Sequence, residues 1–386
     1  MAISLRKFRF NKLSVLLFVG FITSIAISLL NGVWSLYFDS FFHNNSLVGY
    51  FSTILSVVAL TMFFILTPII EKYQENKVYF FAIFFSIALL VWLTLIKNFY
   101  LFVIVIVLYV TTAVLRSESF GIMVRNESKI KSIGKNEGLL YTLSNFGWVL
   151  GALLIFWIFR EYNIKSVFMF AAAFTLIALM IFLMYKKQVK KPALMDLSLF
   201  KDFKVFFENK ELKKLYLSSM GISLWLGFIF VYIPLYIVQN NFNKTFVGLF
   251  LFIFLLPFLL QYLIGKKSDI VGSKFFIVLG YLIIAIFTIA AYYTNHINNV
   301  LVMLILAGFG AAFIEPTKEI HFFKTIQKKQ EEHYYGIYLT HIEFGLIIGK
   351  LLPAILFAFM PFNKIFLVMG GLMFLFFIFS LRLKDF

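Results

Sequence analysis

The chain of 386 residues is 62% hydrophobic and only 14% charged, with a mean hydropathy of +0.93 and a formal net charge of +17. A soluble chain carries about a quarter charged residues, and a membrane β-barrel shows short alternating segments in place of solid apolar runs, so both are excluded. With no cysteine there is neither a disulfide framework nor a thiolate metal site.

Apolar blocks of about 20 residues recur along the chain, each long enough to cross a roughly 30 Å hydrocarbon core as a helix. The first 21 residues, MAISLRKFRFNKLSVLLFVGF, have the basic start and apolar continuation of a signal peptide, and Ser24 to Ala26 are small enough for cleavage. The apolar run continues from Leu13 to about Phe38, too long for a signal core, so an uncleaved first span is expected. Spans follow near 13–38, 47–70, 78–96, 99–123, 138–159 and 166–185, and then near 214–238, 246–264, 275–293, 299–322, 336–360 and 365–381. The expected fold is all-α, with twelve transmembrane helices in two six-helix halves, 1–185 and 214–386.

Of the 35 Lys and Arg residues, 27 fall in the segments on the side of the N-terminus and 5 on the other side. That bias places both termini in the cytoplasm and the protein in the cytoplasmic membrane. The net charge is a topology signal and calls for no nucleic acid. Residues 186–213 form a cytoplasmic linker in which Leu199, Phe200, Phe203, Phe206 and Phe207 fall at helical spacing among charged residues. The pattern suits either an amphipathic helix on the anionic inner leaflet of the bilayer or a charged, unstructured connection.

An internal repeat joins the halves. Gly138 to Leu154 (GLLYTLSNFGWVLGALL) matches Gly336 to Leu352 (GIYLTHIEFGLIIGKLL) at an offset of 198 residues, with seven of seventeen positions identical, all three glycines included. The same offset sets Glu71 on Asp269. An offset of 199 sets Val48-Gly49 on Val247-Gly248 and Leu36-Tyr37 on Leu235-Tyr236. Six spans per copy give the copies the same orientation, related by a pseudo-two-fold axis along the membrane normal, with a cavity between them.

These residues resemble the major facilitator superfamily. The loop after the eighth span, Gly265-Lys-Lys-Ser-Asp269-Ile-Val-Gly272-Ser-Lys274, keeps both glycines, the acid and the last base of the family's G-x-x-x-D-R-x-G-R-R/K signature. The loop after the second span keeps only the acid Glu71 and the base Lys72. The resemblance implies that the loop acid braces the cytoplasmic end of a helix in the other half and helps to close the inner side. Gly147-x-x-x-Gly151, repeated as Gly345-x-x-x-Gly349, is similar to the family's small-residue motif in the fifth span; close helix packing is its plain reading. Arg116 in the fourth span and Gly308 to Pro316 in the tenth also look like family members. The resemblance further implies that the fourth and tenth spans face each other across the cavity, and that the activity is transport.

Ionisable residues inside spans cost roughly 2.5–3.5 kcal/mol each and are functional candidates by default. Here they are Arg116 and Glu118 in the fourth span, Glu315, Lys318 and Glu319 in the tenth, and His341, Glu343 and Lys350 in the eleventh. Arg116 and Glu118 sit about 200° apart around their helix and cannot pair with each other. Arg116 and Glu315 are repeat partners at similar depth, and are expected to interact across the cavity, directly or through substrate. The plain alternative pairs Glu315, Lys318 and Glu319 along their own helix. Glu343 and Lys350, seven residues apart, share one helical face, while Gly345 and Gly349 point the other way. Asn145 is the repeat partner of Glu343. His341 lies about 7 Å inside its helix end, either wetted or functional. A carboxyl group held in low dielectric exchanges protons near neutral pH, which makes Glu118, Glu315 and Glu343 candidates for proton coupling. Asn31, Trp34 and Tyr37 in the first span, with Trp225, Tyr232 and Tyr236 in the seventh, are expected to line the cavity or to pack beside it.

The chain has no nucleotide-binding loop of the G-x-x-x-x-G-K-[ST] type and no zinc motif, so no cofactor and no enzymatic activity are expected. The expected function is a secondary active transporter, monomeric and proton-coupled. It moves a small anionic, zwitterionic or broadly drug-like solute, with efflux favoured by the resemblance of Arg116 to an arginine of the family's exporters. A facilitative uniporter and a non-transporting receptor or scaffold on the same fold are the alternatives. An intramembrane lipid enzyme is disfavoured, because His341 and Glu343, two apart, point away from each other.

Overall fold

The computed structural model describes residues 12–127, 133–185, 199–294, 296–326 and 331–385. No strand occurs among them, as expected where lipid can satisfy no backbone group and each segment must bond to itself. In the first half, α1 (Lys12–Asn31) and α2 (Trp34–Phe42) make one interrupted span. It is followed by α3 (Asn45–Tyr73), α4 (Glu75–Leu95), α5 (Phe99–Glu127), α6 (Ile133–Glu161) and α7 (Ile164–Phe182). After α8 (Leu199–Glu208) the second half runs through α9 (Lys210–Gln239), α10 (Thr245–Leu255), α11 (Gln261–Val271) and α12 (Ser273–Tyr292). It ends with α13 (Ile297–Thr325), α14 (Glu331–Leu356) and α15 (Phe362–Ser380). A 3₁₀ turn, Leu256–Leu260, joins α10 to α11. Twelve spans long and apolar enough to cross a membrane result.

Local chemistry sets the starts. Asn44, Asn163 and Asn209 each accept hydrogen bonds from the first free amides of α3, α7 and α9, at 3.0–3.2 Å. The two interrupted spans break where the chain offers Gly32 and Pro257; the proline ring carries no N–H to continue the ladder.

Packing repeats between the halves. As α6 packs on α1, so α14 packs on α9; α4 meets α5 and α7 as α12 meets α13 and α15. The halves join through two equivalent crossings, α6 on α10 and α14 on α3. Twelve passes bring both chain ends to one face, here called the terminal face. On the opposite face the halves are sealed. A Cβ on Gly49 would meet the Tyr232 hydroxyl and Ala354 Cβ (2.6 Å), and one on Gly248 would meet the Phe156 backbone. These two glycines are repeat partners, and so are Ala354 and Phe156, which they touch. Asn45 and Gln239 add reciprocal amide hydrogen bonds of 3.0 and 2.7 Å across the seam.

The linker helix spends its apolar face on protein rather than on lipid. Phe206 is fully buried against Tyr216 and Tyr334, and Phe203 stands over Phe64 of the other half, with ring centroids 6.1 Å apart. The side chains of Leu199 and Phe200 lie outside the described residues.

Candidate substrate cavity

Three adjoining chambers lie between the halves. The first, about 500 Å³, is lined by Asn31 and Trp34 from the break in the first span, by Tyr109, Arg116 and Glu118 from α5, and by Glu343 from α14. The second, about 730 Å³, shares Asn31 and Glu118 and runs past Asn145 and Glu315 toward Arg125, Tyr141 and Tyr335 at the terminal face. Its wall there includes the exposed Ser117 and Gly121. The third, about 240 Å³, lies nearest the sealed side, between Trp34, Ser56, Tyr109, Phe230, Glu343 and Lys350.

The α14 face is built by its reverse side. A Cβ on Gly345 would meet Met220 O at 2.5 Å, and one on Gly349 would overlap the Leu224 backbone, so α14 docks flush on α9. Gly147 and Gly151 meet Phe21 O and Ile25 O of α1 in the same way, each at 2.7 Å. With the glycine sides packed, Glu343 and Lys350 face the cavity. Lys350 Nζ donates to Ser56 Oγ at 2.7 Å, across the seam between the halves. Tyr232 donates to the Lys350 carbonyl at 2.5 Å. Glu118 and Glu343 form no ion pair among the described residues.

Other expected residues stand elsewhere. Arg116 is not brought to Glu315. It is buried in the first chamber with Tyr79 and Tyr109, while Glu315 lines the second and pairs with Lys318 on its own helix at 3.0 Å. The i,i+3 geometry supplies the nearer counter-charge. Asn31, Trp34 and Asn145 line the cavity, whereas Tyr37, Trp225 and Tyr236 are packed inside their own halves and Tyr232 sits on the sealed seam, its hydroxyl against Gly49. Tyr37 donates to Leu93 O (3.1 Å), Trp225 to Thr288 Oγ1 (3.2 Å), and Tyr236 lies against Phe362 and Phe366. Such aromatics gain more from ring neighbours and one bonded polar tip than from a wet wall. His341 is fully buried beside Tyr216 and Tyr338, outside the three chambers; its Nδ1 donates to Tyr338 O at 2.6 Å.

The loop motif stays within its half. Asp269 pairs with Lys324 at the end of α13 (3.5 Å), and Lys274 with Asp385 near the chain end (3.1 Å). Among the described residues Asp269 forms no ion pair with the first half. Gly265 packs loosely on Ile320, and Gly272, at φ 98°, joins α11 to α12. Its repeat partner Gln74 takes φ 68° between α3 and α4. Lys72 stands over the Tyr73 ring, and the side chain of Glu71 lies outside the described residues. Beside that loop, Asn126 donates to Glu75 (2.8 Å) and Tyr185 to Glu127 (2.7 Å). Burial and these two carboxylates push the Tyr185 phenol up, so it remains a donor at neutral pH.

Sequence reasoning missed Ser56, Tyr109 and the cross-half contacts of the mouth. There Arg125 lies over the Tyr335 ring (4.7 Å), and Tyr141 and Tyr335 hydroxyls are 3.4 Å apart. Asn145 donates to Gln261 Oε1 (2.7 Å) and Phe258 O (3.3 Å). The Phe258 carbonyl also accepts from the Gln261 amide in the 3₁₀ turn, and the side-chain bond uses its second lone pair; Pro257 was the signal of this turn in the sequence.

Comparison with known proteins places this architecture. The family model described as Major Facilitator Superfamily matches residues 16–317 and 215–385. An uncharacterised MFS-type transporter of Methanocaldococcus jannaschii is 26% identical over 149 residues, which span 38% of this chain and 39% of that relative. Among solved structures, the nucleoside transporter NupG superposes with TM-score 0.75 at 14% identity, over 97% of this chain and 100% of that one. A POT family transporter in complex with a thioalcohol-conjugated peptide gives 0.75 at 12%, over 96% and 95%. The human organic anion transporter MFSD10 gives 0.71 at 13%, over 96% and 99%. At such identities the likeness carries the fold, and the family match carries the rest: the chain belongs to the Major Facilitator Superfamily and is a multi-pass membrane protein.

Proposed function

We propose that the chain is a secondary active transporter carrying a small charged solute by alternating access, coupled to protons. The carrying observation is the placement of Glu118, Glu343, Arg116 and Lys350 in one chambered cavity at the seam of two halves. Charges kept inside the membrane without ion-pair partners are costly unless solute or proton supplies the compensation. The bias of basic residues assigns the terminal face to the cytoplasm, so the cavity opens inward and the sealed face looks outward. Glu118 is the acid set to exchange protons, and export is the direction tested first.

The test is flux in proteoliposomes under an imposed pH gradient, with a panel of anionic, zwitterionic and neutral solutes and a lumenal pH dye. Gradient-driven solute movement with matching proton flux is expected. In Glu118→Gln the gradient response disappears while solute exchange persists. Flux indifferent to the gradient identifies a uniporter, and no flux of any solute identifies a receptor or scaffold.

A further inference from the structure

We infer that the third chamber is a binding site for a bipolar solute with a carboxylate and an ammonium group at opposite ends of a short apolar spacer. This rests on the transporter reading and names its substrate class. Along α14 the chamber wall reads acid, apolar, base: Glu343, Leu346 and Lys350 all line it. Seven residues of helix set the two charged positions about 10 Å apart along the axis. Gly345 and Gly349 seat the back of this helix flush on α9, so the spacing is held by packing and does not collapse into a direct pair. Lys350 donates to a neutral partner, Ser56, and Glu343 has no ion pair among the described residues.

The chamber thus holds one charge of each sign, each within the field of the other but with no salt bridge between them among the described residues. Arg116 and Glu118 of α5 line the first chamber, which Glu343 borders as well, and neither of them lines the third. A simple anion would leave Glu343 buried without a counter-charge, and a simple cation would leave Lys350 so; an unpaired buried charge is the expensive outcome. A solute with both groups compensates both. Its anionic end meets Lys350 and Ser56, its ammonium meets Glu343, and its spacer lies on Leu346 between Trp34, Tyr109 and Phe230. At about 240 Å³ the chamber is below the range typical of drug-sized ligands, which selects short molecules.

The purified full chain is titrated calorimetrically with the unbranched ω-amino acids from glycine to 8-aminooctanoate, and with alkanoates and alkylamines of equal length. Affinity is expected to peak at an intermediate length, with each one-charge analogue weaker by about tenfold or more. Glu343→Gln should lower the best ω-amino acid to the level of its alkanoate, and Lys350→Gln to the level of its alkylamine. Ser56→Ala, a milder change, should weaken alkanoates several-fold and leave alkylamines unaltered. Affinity independent of length, an alkanoate as tight as the best ω-amino acid, or one common loss in both charge variants would each overturn the inference. Proton flux driven by some other solute, with no ω-amino acid bound, overturns the substrate class and leaves the transporter standing; no flux and no binding removes both.

Discussion

The helices α6 and α14 are two copies of one sequence, and they share their glycine faces while their charges differ. Toward their own halves both present glycines, and both dock against the first helix of the half with no room for a side chain. Where α14 turns Glu343 and Lys350 to the cavity, α6 has Asn145 on the wall of the second chamber and Ala152 fully buried in the core. Asn145 is engaged in the mouth, bonded to Gln261 and the Phe258 carbonyl, whereas Glu343 has no such partner. The scaffold side of the repeat has been retained because backbone contact tolerates no alternative. The cavity side has diverged because a buried charge is worth its cost only where something binds it. Asymmetry of chemistry on a symmetric frame is what gives the cavity two distinguishable walls.

The harshest way to break this comparison is on the retained side. Gly349→Val and Gly151→Val each push a branched side chain into a neighbouring backbone. Each should cost about 3 kcal/mol or more, read as loss of monodisperse protein and of the thermal transition; if only one copy is sensitive, the packing equivalence fails. On the diverged side, Glu343→Asn gives α14 the residue of α6. Gradient-driven transport should fall about tenfold or more, equivalent to at least about 1.4 kcal/mol, with the melting temperature little changed.

The mouth offers a gentler test. Asn145→Ala removes a cross-half hydrogen bond worth about 1 kcal/mol and should widen the mouth. The chain has no cysteine, so a single Gly336→Cys reports the change directly, its labelling rate rising about fivefold for about 1 kcal/mol. The smallest effect is expected in the loops. Gln74 holds a left-handed backbone that its partner Gly272 adopts freely. Gln74→Gly should therefore stabilise the first half by roughly 0.5–1 kcal/mol, seen as a slightly higher melting temperature, and Gly272→Gln should do the reverse.

Spans, duplication and the two-sided α14 could be read from residues alone, because lipid imposes a length and a polarity that few folds share. Gly49 and Gly248 were visible as an alignment, although only three dimensions show that each marks a contact with the other half. The pairing of Arg116 with Glu315 could not be read correctly, since depth and repeat position do not reveal that Lys318 reaches Glu315 first. Aromatic residues misled for a related reason. With 53 Phe and 19 Tyr in the chain, helical facing does not separate Trp34, on the chamber wall, from Trp225, sealed in its own half. The chambers themselves depend on breaks at Gly32 and Pro257, and a break's direction is a property of its neighbours.

The packing of α8 has a mechanical consequence. Phe206 fixes this helix to the second half, and Phe203 merely rests against Phe64 of the first. In the proposed alternation of the halves, the ring contact at Phe64 slides or parts while the anchor at Phe206 holds. The helix is then a lever with its fulcrum in one half and its free arm against the other, and the angle between the halves is transmitted to the connection that joins them.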